Sequence, residues 1–308
     1  MNSIPASLHW DGMWRSIALF IGIFAGAVGA YPQTPTSTPS PQLSPTSTPI
    51  PQASPTPSLE RQFLKNILRD QRAIWTSPLH LHADDAKWLA PLGLSTAALI
   101  ATDRRTAGAL HNDRLRLNIS RDVAYLGSGG GAPSIAAAFY LIGRATHNER
   151  ARETGLLGGE ALIDGGIVAF TIKHATQRRR PRAPEPGDFF ESGLSFPSGH
   201  TTAAWSLATI VANEYRNKRL VQISAYGLAA AASMARFTGR NHFLSDVLVG
   251  SAIGYGIGRY VYRTHHDPNL ESSNGRTTIH AHSKLLPLLA PSYDRSYRSY
   301  GIHLMWEF

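Results

Sequence analysis

The chain has no cysteine among its 308 residues. That absence excludes disulfides, thiolate metal sites, iron–sulfur clusters and a cysteine nucleophile, so any catalysis falls to His, Ser, Asp, Glu, Lys or Arg. Acidic residues are also scarce, 21 Asp+Glu against 30 Lys+Arg, for a net charge of +9. An anionic partner follows, and nucleic acid, anionic lipid and phosphorylated small molecules all meet that description. No carboxylates cluster along the chain at a spacing suited to a metal, so no metal site is expected. Most apolar stretches meet a charge well short of the ~20 residues a membrane-spanning helix needs. A water-soluble helical core is therefore expected, although 123–145 and 220–235 are apolar enough to keep a membrane-embedded body in play. No repeat of solenoid length is visible.

The first thirty residues carry a weak basic segment, an apolar run over 17–28 and the small residues Val28, Gly29 and Ala30. This pattern predicts a secretory signal peptide over 1–30, hence export to the periplasm or to a membrane surface facing it. Residues 32–58 hold nine Pro, twelve Ser or Thr and no charge. Such a stretch cannot bury a core and predicts an extended linker over 31–58. Helix-length segments with Ala- and Leu-rich faces follow at 59–74, 85–101, 120–145, 158–174, 201–215, 220–237 and 244–262. Gly127 to Gly131 loosen the third. An all-α body over 59–270 is expected, then a short β extension over 271–308, where 301–308 alternates apolar and polar residues and 277–283 is its expected partner.

Three segments carry chemistry. Within 173–182 stand Lys173, Arg178, Arg179, Arg180 and Arg182, at the end of an apolar helix, and Arg180 precedes Pro181, which ends the helix there. Next, Pro197-Ser198-Gly199-His200 opens a helix. Free N–H groups and the positive end of the dipole suit an anion there, and Gly199 allows close approach. Third, His242 and Asp246 are four apart, so the carboxylate can hold one imidazole nitrogen and leave the other free, with Arg236 upstream.

In this order and spacing, Lys173-x6-Arg180-Pro181, Pro197-Ser198-Gly199-His200 and Arg236-x5-His242-x3-Asp246 resemble the three-part motif of the type 2 phosphatidic acid phosphatase (PAP2) superfamily. That superfamily includes bacterial class A acid phosphatases and vanadium haloperoxidases. The resemblance is firm over 173–246 and looser over the rest of the helical body; its one departure is Ala235, where the family often has Ser. It implies a PAP2-type helical bundle and a phosphatase needing no cofactor. It further implies that His242 attacks phosphorus, that Asp246 orients His242, and that His200 protonates the leaving oxygen and then activates water. Lys173, Arg180, Ser198, Gly199 and Arg236 would bind the phosphoryl oxygens.

The expected substrate is a phosphorylated small molecule or lipid. Phe196 before the Pro-Ser-Gly-His run tilts the reading towards a lipid or polyprenyl phosphate with membrane-surface association. Two alternatives stand beside it. A haloperoxidase would hold vanadate in the same pocket, and a non-catalytic basic module would bind nucleic acid but leave the His and Asp spacings unexplained. Elsewhere, Asp103-Arg104-Arg105 reads as a helix-end turn and Trp75, Trp88 and Trp205 as core. His265 and His266 read as surface or interface histidines, and Arg178, Arg179 and Arg182 as cations steering a large anionic substrate.

Overall fold

The computed structural model describes residues 59–268 apart from 112, residue 270, and the backbone of 288–294 and 299–305. The predicted signal peptide, the linker and 277–283 lie outside the described residues. The chain divides at His266 and Asp267 into two units. The described part of the first contains eight α-helices: α1 Leu59–Thr76, α2 Ala86–Gly108, α3 Arg114–Ala124, α4 Gly131–Ala145, α5 Glu149–Thr176, α6 Gly199–Glu214, α7 Arg219–Thr238 and α8 Leu244–His265.

Capping chemistry sets several boundaries that periodicity misplaces. Asp113 accepts from Leu115 N at 3.0 Å and opens α3, and Asn148 accepts from Ala151 N at 3.0 Å and opens α5 well before 158. The helix expected over 120–145 is two helices. Ser128 Oγ accepts from Gly131 N at 2.8 Å, starting α4 afresh. The backbone at the break is pressed against its neighbours: a Cβ on Gly127 would lie 2.3 Å from His200 O, and one on Gly131 would lie 2.0 Å from Tyr125 O. Gly127 thus seats the break on the first turn of α6, and Gly131 lets the chain close back on Tyr125.

Helix α6 runs through the centre, packed by α5, α7 and α8. One apolar cluster joins Ile135 and Phe139 of α4 to Leu207 and Val211 of α6 and Ala225 and Ala229 of α7. A second joins Leu157 and Ala161 of α5 to Ile210 of α6 and Ile257 and Val261 of α8. Each fully buried aliphatic side chain contributes about 1.5–3 kcal/mol. The backbones of α6 and α8 touch directly. Cβ atoms on Gly250, Gly254 and Gly258 would come within 2.7, 2.3 and 2.6 Å of the carbonyls of Ser198, Thr202 and Ser206. The two helices therefore run parallel, with their N-termini side by side.

One expectation about apolar residues fails in part. Trp75 and Trp88 are exposed and only Trp205 packs on the core, donating to Ser233 Oγ at 3.1 Å. In α1 the inward face carries Asn66, Ile67 and Asp70, while Leu64 and Leu68 point outward. Among the described residues α5 alone is long and apolar enough to cross a membrane, and half of that stretch is buried within the bundle.

In the second unit, Leu288–Asp294 pairs antiparallel with Ser299–Met305, Leu288 opposite Met305 and Asp294 opposite Ser299. The strand over 299–305 pairs with 288–294, and the partner expected over 277–283 lies outside the described residues. Only four residues separate the two strands, within the usual range for adjacent antiparallel strands.

Candidate active site

All three motifs are delivered by helix ends. Lys173 lies in the last turn of α5, which Gln177 closes in the left-handed conformation at φ 44°. The following loop folds back on that end, with Gly193 N and Ser195 N donating to Gln177 O and Arg178 O at 2.9 Å each. Lys173 Nζ donates to Leu194 O at 3.2 Å, Ser195 O at 3.4 Å and Pro197 O, directly before the second motif. Phe196-Pro197 is a cis peptide.

Ser198 precedes the first residue of α6, and its hydroxyl makes no cap bond; it accepts from Thr201 Oγ1 at 3.0 Å. The first N–H groups of α6 have no acceptor within the helix. After α7, Arg236 O accepts from Asn241 N at 3.0 Å and His242 N at 3.2 Å, so the turn brings His242 back beside Arg236. Ser198 N donates to Asp246 O at 3.0 Å, tying the second motif to the third.

Asp246 is fully buried beneath this arrangement. It accepts from Arg178 Nη1 at 2.7 Å, Ser195 Oγ at 2.5 Å and Phe243 N at 2.9 Å, and Oδ2 lies 3.4 Å from His242 Nδ1. Burial alone would raise this carboxyl; the His242 contact, the Arg178 guanidinium and the Ser195 hydroxyl outweigh it and hold it below the usual range.

The groups above Asp246 are starved of negative charge. Burial and the positive charge of Arg236, with His242, Lys173 and Arg180 behind it, push His200 down to about 3. Burial pushes His242 down to about 4, with Asp246 partly offsetting it. Lys173 falls to about 8 through burial, with Arg180 and Arg236 adding to the shift. Arg236 falls to about 10 through burial, Arg180 and Arg182, and its Nε is buried without a partner. All of these shifts have the sign that a bound anion would reverse.

Lys173, Arg180, Ser198, Gly199, His200, Arg236, His242 and Asp246 thus share one region. Three residues outside the motifs belong with them. Arg178 is almost wholly buried, stacked over Phe243 at 4.3 Å and Phe189 at 4.8 Å. It donates to Ser245 Oγ at 2.7 Å and Asp103 Oδ2 at 3.0 Å besides Asp246. Arg178 therefore does not steer an approaching substrate, and Asp103 is no helix-end turn but a buried anchor inside α2. Ser195 is the third. Arg182 is also engaged within the fold, donating to Gly239 O at 2.6 Å.

Carboxylates scattered in sequence do gather in space, contrary to expectation. Asp70, Glu160 and His265 offer ligand atoms within 4.8 Å of one another, as do Glu153, Glu214 and His266. Neither histidine is a surface residue: their side chains are 6% and 11% exposed.

The PAP2 superfamily model matches residues 155–269. Over 105 residues the chain is 35% identical to a Lipid A 1-phosphatase from Porphyromonas gingivalis, covering 34% of this chain and 22% of that protein. The chain thus matches about a fifth of that relative's length. Two crystal structures are similar at 23% identity. A transmembrane PAP2 type phosphatidylglycerolphosphate phosphatase from Bacillus subtilis has a TM-score of 0.45, covering 56% of this chain and 94% of that one. LpxE from Aquifex aeolicus has a TM-score of 0.41, covering 53% and 93%.

Proposed function

From the match of residues 155–269 to the PAP2 superfamily model, we propose an exported phosphatase that hydrolyses phosphate monoesters through a phosphohistidine on His242. The observation that carries this reading is the buried Asp246, held by Arg178, Ser195 and Phe243 N and set 3.4 Å from His242, beneath the cations that surround the start of α6. His242 Nε2 attacks phosphorus, and Asp246 stabilises the imidazolium that forms. His200 gives its proton to the departing alkoxide. In the second step His200 takes a proton from water, whose oxygen attacks phosphorus and frees His242 and inorganic phosphate.

The low value of His200 fits this cycle. Burial and the surrounding cations disfavour its protonated form, and a phosphoryl dianion supplies the negative charge that restores it. Lys173, Arg180 and Arg236 with the amides of α6 take up the charge on the phosphoryl oxygens, a task that metal ions perform in kinases.

The substrate we assign is a lipid or polyprenyl phosphate, reached from a membrane surface on the periplasmic side. The name of the Porphyromonas gingivalis relative and the exposed Trp88, Leu89 and Leu94 of α2 support this choice. Residues 1–30 serve as the export signal, 31–58 as a linker and 271–308 as a short β extension. The test is His242→Ala against a panel of a chromogenic phosphomonoester, phosphatidic acid and a polyprenyl phosphate, with and without detergent. Hydrolysis should vanish for every substrate; a retained rate overturns the assignment, and a preference for the soluble ester in detergent overturns the lipid substrate.

A further inference from the structure

At the far end of the bundle from the phosphoryl site lies a pocket of opposite character. Asp70 of α1, Glu160 and Asp164 of α5 and His265 of α8 are buried together. Glu160 and Asp164 stand one turn apart on the same face of α5. His265 Nε2 lies 2.8 and 3.0 Å from the two oxygens of Asp70, to which the Tyr260 hydroxyl also donates at 3.2 Å. Asn66 donates to Glu160 Oε1 at 3.0 Å and Gln71 to Asp164 Oδ1 at 2.8 Å. The other oxygens, Glu160 Oε2 and Asp164 Oδ2, are buried with no donor. Three carboxylates thus face a single imidazole, which even when protonated offsets only one of their charges. Such a deficit is costly unless a proton or a cation fills it.

We propose that Asp70, Glu160 and His265 bind one divalent transition-metal ion of the zinc or manganese type, with Asp164 as the adjacent carboxylate. One oxygen from each acid and one imidazole nitrogen, all within 4.8 Å of one another, are close enough to converge on an ion whose ligands stand about 2.0–2.2 Å away. A mixed oxygen and imidazole donor set without thiolate suits zinc and manganese. Asn66 and Gln71 fix the second oxygens of their carboxylates, as partners behind metal ligands do. Burial, with repulsion from Asp70, raises Glu160 to about 7 and Asp164 to about 6, a direction that a bound cation would reverse. Binding ties α1 to α5 and α8.

The ion is no part of the phosphoryl chemistry. Asp246 and His265 stand at opposite ends of α8, about 28 Å apart at the helical rise. The neighbouring triad is built differently. His266 Nδ1 lies 3.3 Å from Glu153 Oε2 and 3.4 Å from Glu214 Oε1. Although burial opposes it, those two carboxylates raise His266 to about 10, so the imidazolium is itself the cation there, whereas a metal needs a neutral ring.

The test uses the purified full chain stripped with EDTA and titrated with Zn2+ and with Mn2+ at pH 7.5, read by calorimetry and thermal unfolding. One equivalent should bind and raise Tm, with affinity falling towards pH 5 as the ligands protonate. Glu160→Gln, close to isosteric, should weaken binding by more than about tenfold, while Glu214→Gln keeps the one equivalent. No heat and no Tm shift in the unaltered chain up to millimolar metal overturns the proposal. Unchanged affinity in Glu160→Gln, or loss only in Glu214→Gln, does so equally. None of these readouts depends on phosphatase activity.

Discussion

The two ends of α8 hold carboxylates that are equally buried and differently kept. At the N-terminal end, Asp246 is alone among donors, a guanidinium, a hydroxyl and a backbone N–H, with the His242 imidazole 3.4 Å away. At the C-terminal end, Asp70, Glu160 and Asp164 share one imidazole, and two of their oxygens have no donor. Asp246 is held below the usual carboxylate range, whereas Glu160 is pushed up to about 7. Burial does not separate the two regions; the balance of donors and charges does.

The comparison breaks if Asp246 is made to resemble Glu160. Arg178→Ala removes its strongest donor and leaves Asp246 and Asp103 facing each other across the space vacated by the guanidinium. A buried carboxylate stripped of its cation costs about 3–5 kcal/mol. Denaturant unfolding should show a loss of that size, and the acid limb of the activity profile should move up in pH as Asp246 becomes easier to protonate. Arg178→Lys should restore part of the stability, since it keeps the charge but not the fork that spans both acids. A loss below 1 kcal/mol in the alanine variant would mean that Asp246 does not depend on Arg178.

The same contrast predicts opposite responses to pH. Glu160 rises from 4.5 to about 7 on folding, so in EDTA the native chain keeps a proton that the unfolded chain has released. Its contribution to stability therefore falls as pH rises through that window. His200 and His242 fall from 6.5 to about 3 and about 4. There the unfolded chain takes up protons first, and stability falls as pH drops below 6.5. Glu160→Gln should remove the first slope, giving a relative gain on the order of 1–3 kcal/mol at pH 7 over pH 4.5. Inorganic phosphate should relieve the second by giving the histidines an anion to protonate against. Melting curves from pH 4 to 8, with EDTA and with phosphate, measure both; parallel curves for variant and parent would show that Glu160 titrates normally.

The two regions were unequally legible in the sequence for the same reason. The phosphoryl site is built from helix ends, so its residues fall into short runs whose spacing is readable: Pro197 to His200, and Arg236 to Asp246. The acidic cluster is built from single residues of three helices far apart in sequence, and nothing along the chain links Asp70 to Glu160 or His265. Glycine breaks and Asn or Asp caps, not periodicity, decided where α3, α4 and α5 begin. The inward face of α1 is not legible from apolar content, since Asn66 and Asp70 are what that helix buries. Asp103 left one usable trace, a lone acid closing the apolar run 97–101.

The smallest effect sharpens the comparison within one tripeptide. Arg178, Arg179 and Arg180 read as one basic run, yet they face three environments. Arg178 is enclosed by acids and aromatic rings, Arg180 contributes to the field on His200 and Lys173, and Arg179 points outward to Glu185 and Glu191, both exposed. Arg179 Nη2 lies 3.1 Å from Glu191 Oε2, a geometry no poorer than that of Arg178 with Asp103. Solvent makes the difference. Water already satisfies the glutamates, and the pair pays ordering entropy for little Coulombic gain, so exposed pairs contribute about 0–1 kcal/mol. Arg179→Ala should accordingly change unfolding free energy by less than about 0.5 kcal/mol and leave turnover intact. A loss approaching that of Arg178→Ala would mean that the loop over 178–197 is held by its surface charges rather than by the buried guanidinium beneath it.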